Sequence, residues 1–510
     1  MESHKKTIKS SLFLGAGQSV EIVGAIILMP FLISQLGLKS YGLWILINSI
    51  VGYLGVLSMG LSTAIERELC KLDSAEHLKK YKTVFSSGLF TLIALSIVTF
   101  FFVAIGVIAS DIIVDEALLQ ETVATILWIF GIKTMLLLPS IAFQAVISSQ
   151  LRHDLFVIAE QVMVIVKIII IIIVIGETKS IIHLALIIAI CETFSRVLIV
   201  IFAVKLKGLF LLSYYRPSTK IMKGFIKYST PSIGIWLVER FRGSLPNFSI
   251  TYYLNLEAIA LYNIGFMIAT YVGQFLIMST SPLMPYFTQL LSVTDNKTKK
   301  EGTLLKSINY TYGIIIISIS FYILGFIFSG KSFLFLFFNI ENIEVYYVGI
   351  IASFYTLLFC SQHSFSRLFY SKGIHDQLFT LTVIEVCLIM LLSVVLTPAF
   401  GIVGQAMSVL LPLFYTRHYL IYKKYQYDDH FNADNLKESS RIWLIPLLVL
   451  CPVIYLLSSQ IQSNDWLSFI MANVMLILVL SFIYYLYTTK IVMKIWESNI
   501  KQLVLNKVDK

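Results

Sequence analysis

LFVIAEQVMVIVKIIIIIIVIG (155–176) and IIHLALIIAICETFSRVLIVIFAV (181–204) follow one another with only four residues between them, and they decide the fold. Each run is long enough, as a helix, to cross about 30 Å of hydrocarbon. A backbone inside hydrocarbon must satisfy its own N–H and C=O groups, which makes both runs helices. Runs of the same kind recur near 11–34, 41–63, 83–109, 122–148, 228–253, 260–283, 306–329, 345–370, 377–397, 402–422, 441–460 and 465–487. The alternating pattern of a membrane β-barrel is absent. Composition agrees, since 57% of the chain is apolar and only 13% is charged, where soluble proteins carry about 25%. The expectation is an all-α polytopic membrane protein with about fourteen transmembrane helices.

An even number of spans places both termini on one side, and the basic residues say which. With the N-terminus cytoplasmic, 31 of the 39 Lys and Arg fall at or near cytoplasmic ends and loops. Lys39, Lys179 and Lys331 fall outside. The formal charge of +10 is thus a topology signal, and no nucleic-acid partner is expected. MESHKKTIKS (1–10) precedes an apolar run too long for a signal peptide and without a small-residue cleavage site, so an uncleaved first helix is expected. Cys70, Cys191, Cys360, Cys387 and Cys451 lack metal-ligand spacing and sit in apolar runs or on the cytoplasmic side, which argues against disulfides. The longest outside segment is expected at about 330–344, with larger cytoplasmic segments at 64–82, 205–227, 284–305 and 423–440. Leu69, Leu72, Leu78 and Tyr81, and again Ile491, Ile495, Trp496, Ile500 and Leu503, recur at roughly helical spacing. These read as amphipathic helices on the inner leaflet, or as solvated connectors.

The chain echoes itself. An offset of 218 lays SQLGLKSYGLW (34–44) on YYLNLEAIALY (252–262) and Glu21 on Glu239, and an offset of 222 lays His153-Asp154 on His375-Asp376. Two parallel six-helix lobes account for both echoes. The expected organisation is a first lobe with its linker over 1–227, a second lobe over 228–425, and two added helices with a cytoplasmic tail over 426–510.

A charge at mid-bilayer costs at least about 2.5–3.5 kcal/mol, so it faces a partner or a cavity. The seventh span holds WLVERFRGSLPN (236–247), with Glu239, Arg240 and Arg242 near mid-depth and Gly243 and Pro246 to weaken the helix. Lys133, Lys167, Glu192, Arg196, Glu21 and Glu385 are similarly deep. Arg240, Arg242, Lys133, Lys167 and Arg196 are the candidate substrate-binding cations. Glu21, Glu239, Glu192 and Glu385 are the candidates for ion coupling, because a buried carboxylate that takes up a proton would leave a cationic interior. Simpler readings stand beside these: Glu192 and Arg196 neutralise one another at i,i+4, and Glu239 serves Arg242. Pro30, Pro139, Pro282, Pro285 and Pro412 suit helices that bend, although Pro is common in inert membrane helices.

LGLKSYGLWILINSIVGYLGVLSMGLSTAIEREL (36–69) resembles the LG-x-x-x-YGLW…GL-x-x-A-x-x-R signature of Wzx-type O-antigen flippases, and PAFGIVGQAMS (398–408) is similar to a second family habit. These flippases form part of the multidrug/oligosaccharidyl-lipid/polysaccharide exporter superfamily. The resemblance covers essentially the whole chain. It implies two six-helix lobes around a central cationic cavity, in the bacterial inner membrane, moving an undecaprenyl-pyrophosphate-linked oligosaccharide by alternating access. It further implies membrane lipids, a glycan polymerase and a chain-length regulator as partners, no cofactor, and H⁺ or Na⁺ as the coupling ion. A multidrug antiporter of the same superfamily is the nearest rival, with an acidic and aromatic interior. A polysaccharide polymerase would want a sizeable outside loop with charged residues, and no P-loop is present for direct use of ATP.

Overall fold

The computed structural model describes residues 2–72, 78–108, 117–150, 152–208, 215–280, 297–363, 376–420, 447–458 and 465–483, with a few isolated residues between them. The described residues are almost entirely helical: α1 (Glu2–Cys70), α2 (Leu78–Ile108), α3 (Ala117–Ser149), α4 (His153–Thr178), α5 (Ile181–Lys207), α6 (Thr219–Tyr253), α7 (Leu256–Ser279), α8 (Lys297–Phe338), α9 (Ile343–Ser361) and α10 (Asp376–Leu413). Two more follow, α11 (Leu447–Ser458) and α12 (Trp466–Ile483). Among the described residues, ten stretches are long and apolar enough to cross a membrane. Two of them, in α1 and α10, contain a break and hold two expected spans each. With α6 and α11 added, each of the fourteen spans read from the sequence has a helix over most of its described residues. The chain is a polytopic all-α membrane protein.

The breaks have local causes. In α1 the chain turns at Gly37 (φ 78°, ψ 162°), a conformation that a side chain would strain. In α10 it turns at Phe400 and at Gly401 (φ 59°, ψ −140°). Between α4 and α5 the turn is made by Lys179 in the left-handed region, and between α6 and α7 it passes through Leu254 and Asn255. Gly37 and Asn255 are separated by 218 residues, and Lys179 and Gly401 by 222. Those are the two offsets of the sequence echo. Past Pro412 the helix widens into a π-helix over Phe414–Leu420.

The chain forms two compact units: one of Met1–Asn263 with Leu378–Val409, the other of Ile264–Gln377 with Leu410–Lys510. In the first unit α2 packs on α3, α3 and α4 pack on α5, and α1 packs on α3, α4 and α6. Small residues permit the close approaches: a Cβ on Gly42 would lie 1.8 Å from the Leu256 carbonyl oxygen, and one on Gly60 would lie 2.8 Å from Ser229 Cβ. In the second unit α8 packs on α9, where Tyr346 is buried and its hydroxyl donates to the Ile327 carbonyl at 2.7 Å. Ile165, Ile169, Ile172 and Ile173 of α4 are exposed, as a surface that meets lipid requires.

Three local expectations change. Helix α8 runs on through Gly330 and Lys331 to Phe338 and α9 begins at Ile343, so the non-helical outside connection is far shorter than 330–344. Leu69, Leu72 and Tyr81 are buried in one core cluster with Ile65, Phe85 and Phe143, and only Leu78 is exposed. The ends of α1 and α2 therefore pack inward and do not lie flat on a leaflet. Pro231 and Pro246 leave α6 continuous. The second amphipathic stretch, after Thr488, and Pro282 and Pro285 lie outside the described residues.

Candidate functional site

Helix α6 carries the densest charge, and one of its faces is seated on the second half of α1. Ser229 meets Gly60, and Asn247 donates from Nδ2 to Ser49 Oγ at 2.9 Å. Asn247 in turn accepts from Asn263 Nδ2 at 2.9 Å. Between these contacts, Arg240 Nη2 donates to the Asn48 carbonyl at 2.6 Å. A helical carbonyl has a second lone pair for such a bond. Gly52 makes the room, since a Cβ there would lie 1.7 Å from Arg240 Nη2. The guanidinium carbon also stands 6.0 Å from the Tyr53 ring centroid, a cation–π contact.

Arg242 points to a different neighbour. Its Nη2 donates to Glu239 Oε2 at 2.6 Å and its Nη1 to Glu385 Oε1 at 2.9 Å. Glu385, on α10, is wholly buried, and the Arg242 side chain is only 10% exposed. Thr382 donates to the other oxygen of Glu239 at 3.4 Å. One arginine thus ties two carboxylates on two helices. Further along α10 runs a polar ladder: Thr397 donates to Gln405 Oε1 at 2.7 Å, Gln405 Nε2 donates to Ser393 and Ser408 at 3.0 and 2.9 Å, and Thr397 Oγ1 lies 3.4 Å from Ser249 Oγ on α6. Beside the triad lies an apolar cavity of about 350 Å³, lined by Tyr53, Leu237, Val238, Phe241, Val383, Val386 and Cys387.

The second cluster stands among α1, α3, α4 and α5 around a cavity of about 270 Å³. Glu21, Glu160, Lys167, Glu192 and Arg196 line it, with Cys191, Ser195, Leu137, Met163 and Val164. Lys133 Nζ donates to Glu192 Oε2 at 2.8 Å and sits 4.2 Å from the Phe130 ring centroid. Lys167 reaches the other Glu192 oxygen at 4.0 Å. Arg196 pairs with Glu160 at 3.1 Å and donates to Gln144 Oε1 at 2.8 Å. Glu21 accepts from Gln161 Nε2 at 3.5 Å. Ser195 Oγ is buried without a hydrogen-bond partner among the described residues. Three carboxylates and three cations make the cluster neutral when all are ionised. Protonating any carboxylate shifts it toward positive.

The nine residues singled out from the sequence thus fall into two groups. Lys133, Lys167, Arg196, Glu21 and Glu192 gather at the second cavity, and Arg242, Glu239 and Glu385 form the triad with Arg240 two residues away. Glu239 does serve Arg242, as its i,i+3 spacing allows. Glu192 and Arg196, four apart on α5, pair instead with other helices. Glu160 was not singled out, because it stands only a few residues inside its apolar run, where a charge looks superficial. Gln144, Gln161, Asn48 and Gly52 give no signal of their own, since their roles depend on which helix faces them. No group of three or more His, Cys, Asp or Glu suited to a metal occurs among the described residues.

No family description matches the sequence, and no curated protein matches it. Solved structures do match. The lipid II flippase MurJ in an inward closed conformation aligns with a TM-score of 0.69 at 15% identity, over 93% of this chain and 98% of that one. An inward-facing multidrug resistance MATE transporter of the MOP superfamily aligns with a TM-score of 0.63 at 12% identity, over 82% of this chain and 96% of that one. A MOP superfamily transporter from Pyrococcus furiosus, described as having a binding pocket of reverse polarity, aligns with a TM-score of 0.56 at 13% identity, over 89% of this chain and 95% of that one. From nearly end to end, the chain has the fold that lipid II flippases and multidrug transporters of the MOP superfamily share.

Proposed function

We propose that this chain is a transporter, not an enzyme, and that it flips an undecaprenyl-pyrophosphate-linked oligosaccharide from the cytoplasmic to the outer leaflet of a bacterial inner membrane. The likeness to MurJ carries the reading, because it is strong, spans both chains, and belongs to a protein whose cargo is itself lipid-linked. The interior chemistry supports an anionic cargo. Arg240, Arg242, Lys133, Lys167 and Arg196 lie within apolar helices, and Arg240 has a buried Nε without an acceptor among the described residues. A phosphate oxygen accepts what carboxylates now accept, and guanidinium matches that geometry well.

Each cation except Arg240 is held by a carboxylate, so an anionic cargo gains them only when carboxylates release them. Proton uptake at Glu239 or Glu385 releases Arg242, at Glu192 it releases Lys133 and Lys167, and at Glu160 it releases Arg196. Uptake at Glu21 adds to the positive balance of the cavity it shares with Glu192 and Glu160, and Na⁺ binding at these oxygens is the alternative. Alternating access then proceeds by rocking of the repeats over 1–227 and 228–425, with 426–510 added, and polymerase and chain-length regulator act downstream.

The test uses purified protein in proteoliposomes loaded with lipid-linked oligosaccharide, with an impermeant glycosidase outside. Cargo should become cleavable in minutes under a proton or sodium gradient, and the Glu21→Gln/Glu239→Gln double variant should bind cargo yet lose gradient-driven flipping. Gradient-driven export of cationic dyes with no cargo movement would move the chain to the multidrug reading, which the MATE likeness favours.

A further inference from the structure

Helix α6 has two unlike faces. At 3.6 residues per turn, Phe225, Ser229, Arg240 and Asn247 share one face, and they are buried or bonded: Phe225 in the core, Ser229 on Gly60, Arg240 on Asn48, and Asn247 on Ser49. The opposite face begins with Lys220, Lys223 and Lys227, all exposed. It continues through Gly224, Pro231 and Gly234 to Val238 and Arg242. Among the described residues, a Cβ on Gly224 or Gly234 would meet nothing within 4 Å, as would one on Gly243, so this face is bare at those two points. It ends at Arg242 and at the apolar cavity that Val238, Phe241 and Val386 help to line.

Topology alone explains why lysines precede a span on this side. It does not explain why α6 starts nine residues ahead of its expected apolar run, at Thr219, and so sets all three on one side of the helix, opposite Phe225 and Ser229. From Lys227 to Arg242 the helix rises about 22 Å, a span that covers the cytoplasmic half of the bilayer and somewhat more.

We infer that the Lys220–Lys223–Lys227 face of α6 is a capture site for the phosphate-bearing head of the amphiphilic cargo, from which the head passes along the bare face to Arg242. This inference rests on the flippase reading. Lysines are flexible, strongly hydrated point charges that hold a phosphate without locking it in place. A basic stripe raises the local concentration of an anion and speeds its arrival, in a manner that salt suppresses. The apolar cavity beside Arg242 accommodates a hydrocarbon segment next to that phosphate. Headgroup and chain then have adjacent places on one helix.

The experiment compares wild type, Lys220→Gln/Lys223→Gln/Lys227→Gln and Lys220→Arg/Lys223→Arg/Lys227→Arg, each with its orientation checked by external labelling. Two readouts are taken: initial rates of lipid-linked oligosaccharide flipping against cargo and NaCl concentration, and binding of undecaprenyl pyrophosphate in nanodiscs with phosphatidylglycerol as competitor. The glutamine variant should raise KM about tenfold, leave kcat within about twofold, and lose its salt dependence, with the arginine variant close to wild type. Unchanged KM and salt dependence would overturn the inference. So would phosphatidylglycerol displacing undecaprenyl pyrophosphate at equal concentration, since the face would then be a general anionic-lipid surface. If wild type flips nothing, the flippase reading fails, and loss of undecaprenyl pyrophosphate binding in the glutamine variant still decides the capture site.

Discussion

Two clusters of intramembrane charge sit in the same compact unit and are built in opposite ways. The cluster among α1, α3, α4 and α5 surrounds a cavity, and its Glu192 side chain is 38% exposed. The triad of α6 and α10 is dry at its centre, with Glu385 at 0% and Arg242 at 10%, and opens at Glu239, at 31%. In the first, ionised groups keep part of their solvation and can exchange partners. In the second, the Arg242–Glu385 bond replaces waters that are no longer there, so that pairing is costly to lose. Releasing Arg242 to a cargo therefore has more desolvation to offset than releasing Arg196 does. The same residue types line a cavity in one place and join helices in another.

The largest effect should follow from breaking the dry triad. Glu385→Ala leaves Arg242 buried with one carboxylate fewer, which costs about 3–5 kcal/mol in comparable buried pairs. The expected outcome is a sharply lower unfolding temperature in detergent and reduced membrane abundance, with Glu385→Leu/Arg242→Met recovering most of the loss. A Glu385→Ala protein as stable as wild type would mean that the triad is solvated.

Next comes the seat of Arg240. Gly52→Ala places a methyl group where Nη2 now lies, and the flexible guanidinium can swing away at the cost of its bond to the Asn48 carbonyl. A hydrogen bond from a charged group is worth about 1.5–3 kcal/mol, so a loss of that order is expected from denaturant unfolding. Arg240→Ala should cost a similar amount, and the double variant no more than either alone. Additive losses would show that Gly52 serves helix packing independently of Arg240.

The wet cluster should respond least in stability and most in transport. Glu192→Gln removes the charge but leaves an oxygen that can accept from Lys133, in a pair whose carboxylate is 38% and whose lysine is 11% exposed, so a loss of about 1 kcal/mol is expected. Unfolding should therefore shift less than in the two variants above, while the ion dependence of transport changes clearly. A destabilisation as large as that of Glu385→Ala would erase the distinction between the clusters.

The sequence carried the fold because the fold follows from length and apolarity, which are local. Even the two helix reversals inside α1 and α10 were foreshadowed, by a repeat whose offsets are the separations of the turns at Gly37, Asn255, Lys179 and Gly401. Span seven, α6, reads as an apolar run over 228–253 in spite of Glu239, Arg240 and Arg242, and those charges are what keep it out of the ten most apolar stretches. Partner choice was legible only where partners share a helix. Glu239 with Arg242 lies at i,i+3, but Arg242 with Glu385 spans 143 residues and Arg196 with Glu160 joins two helices. Arg240 was read as a cavity cation, yet its nearest acceptor is a backbone carbonyl exposed by a glycine. No pattern of side chains announces a carbonyl. For the same reason the segment near 66–82 looked like a surface helix: its spacing is amphipathic, and only the arrangement of α2, α3 and α6 decides that Leu69 and Tyr81 face a core.

The central claim is the flipping of a lipid-linked oligosaccharide, and deletion of the gene in its host tests it most directly. Membrane vesicles of defined orientation are treated with an impermeant glycan-modifying enzyme, and the lipid-linked units are identified by mass. The account predicts that complete units accumulate on the cytoplasmic face and that the wild-type gene relieves the accumulation. Complete units reaching the outer face at the normal rate in the deletion strain would contradict it.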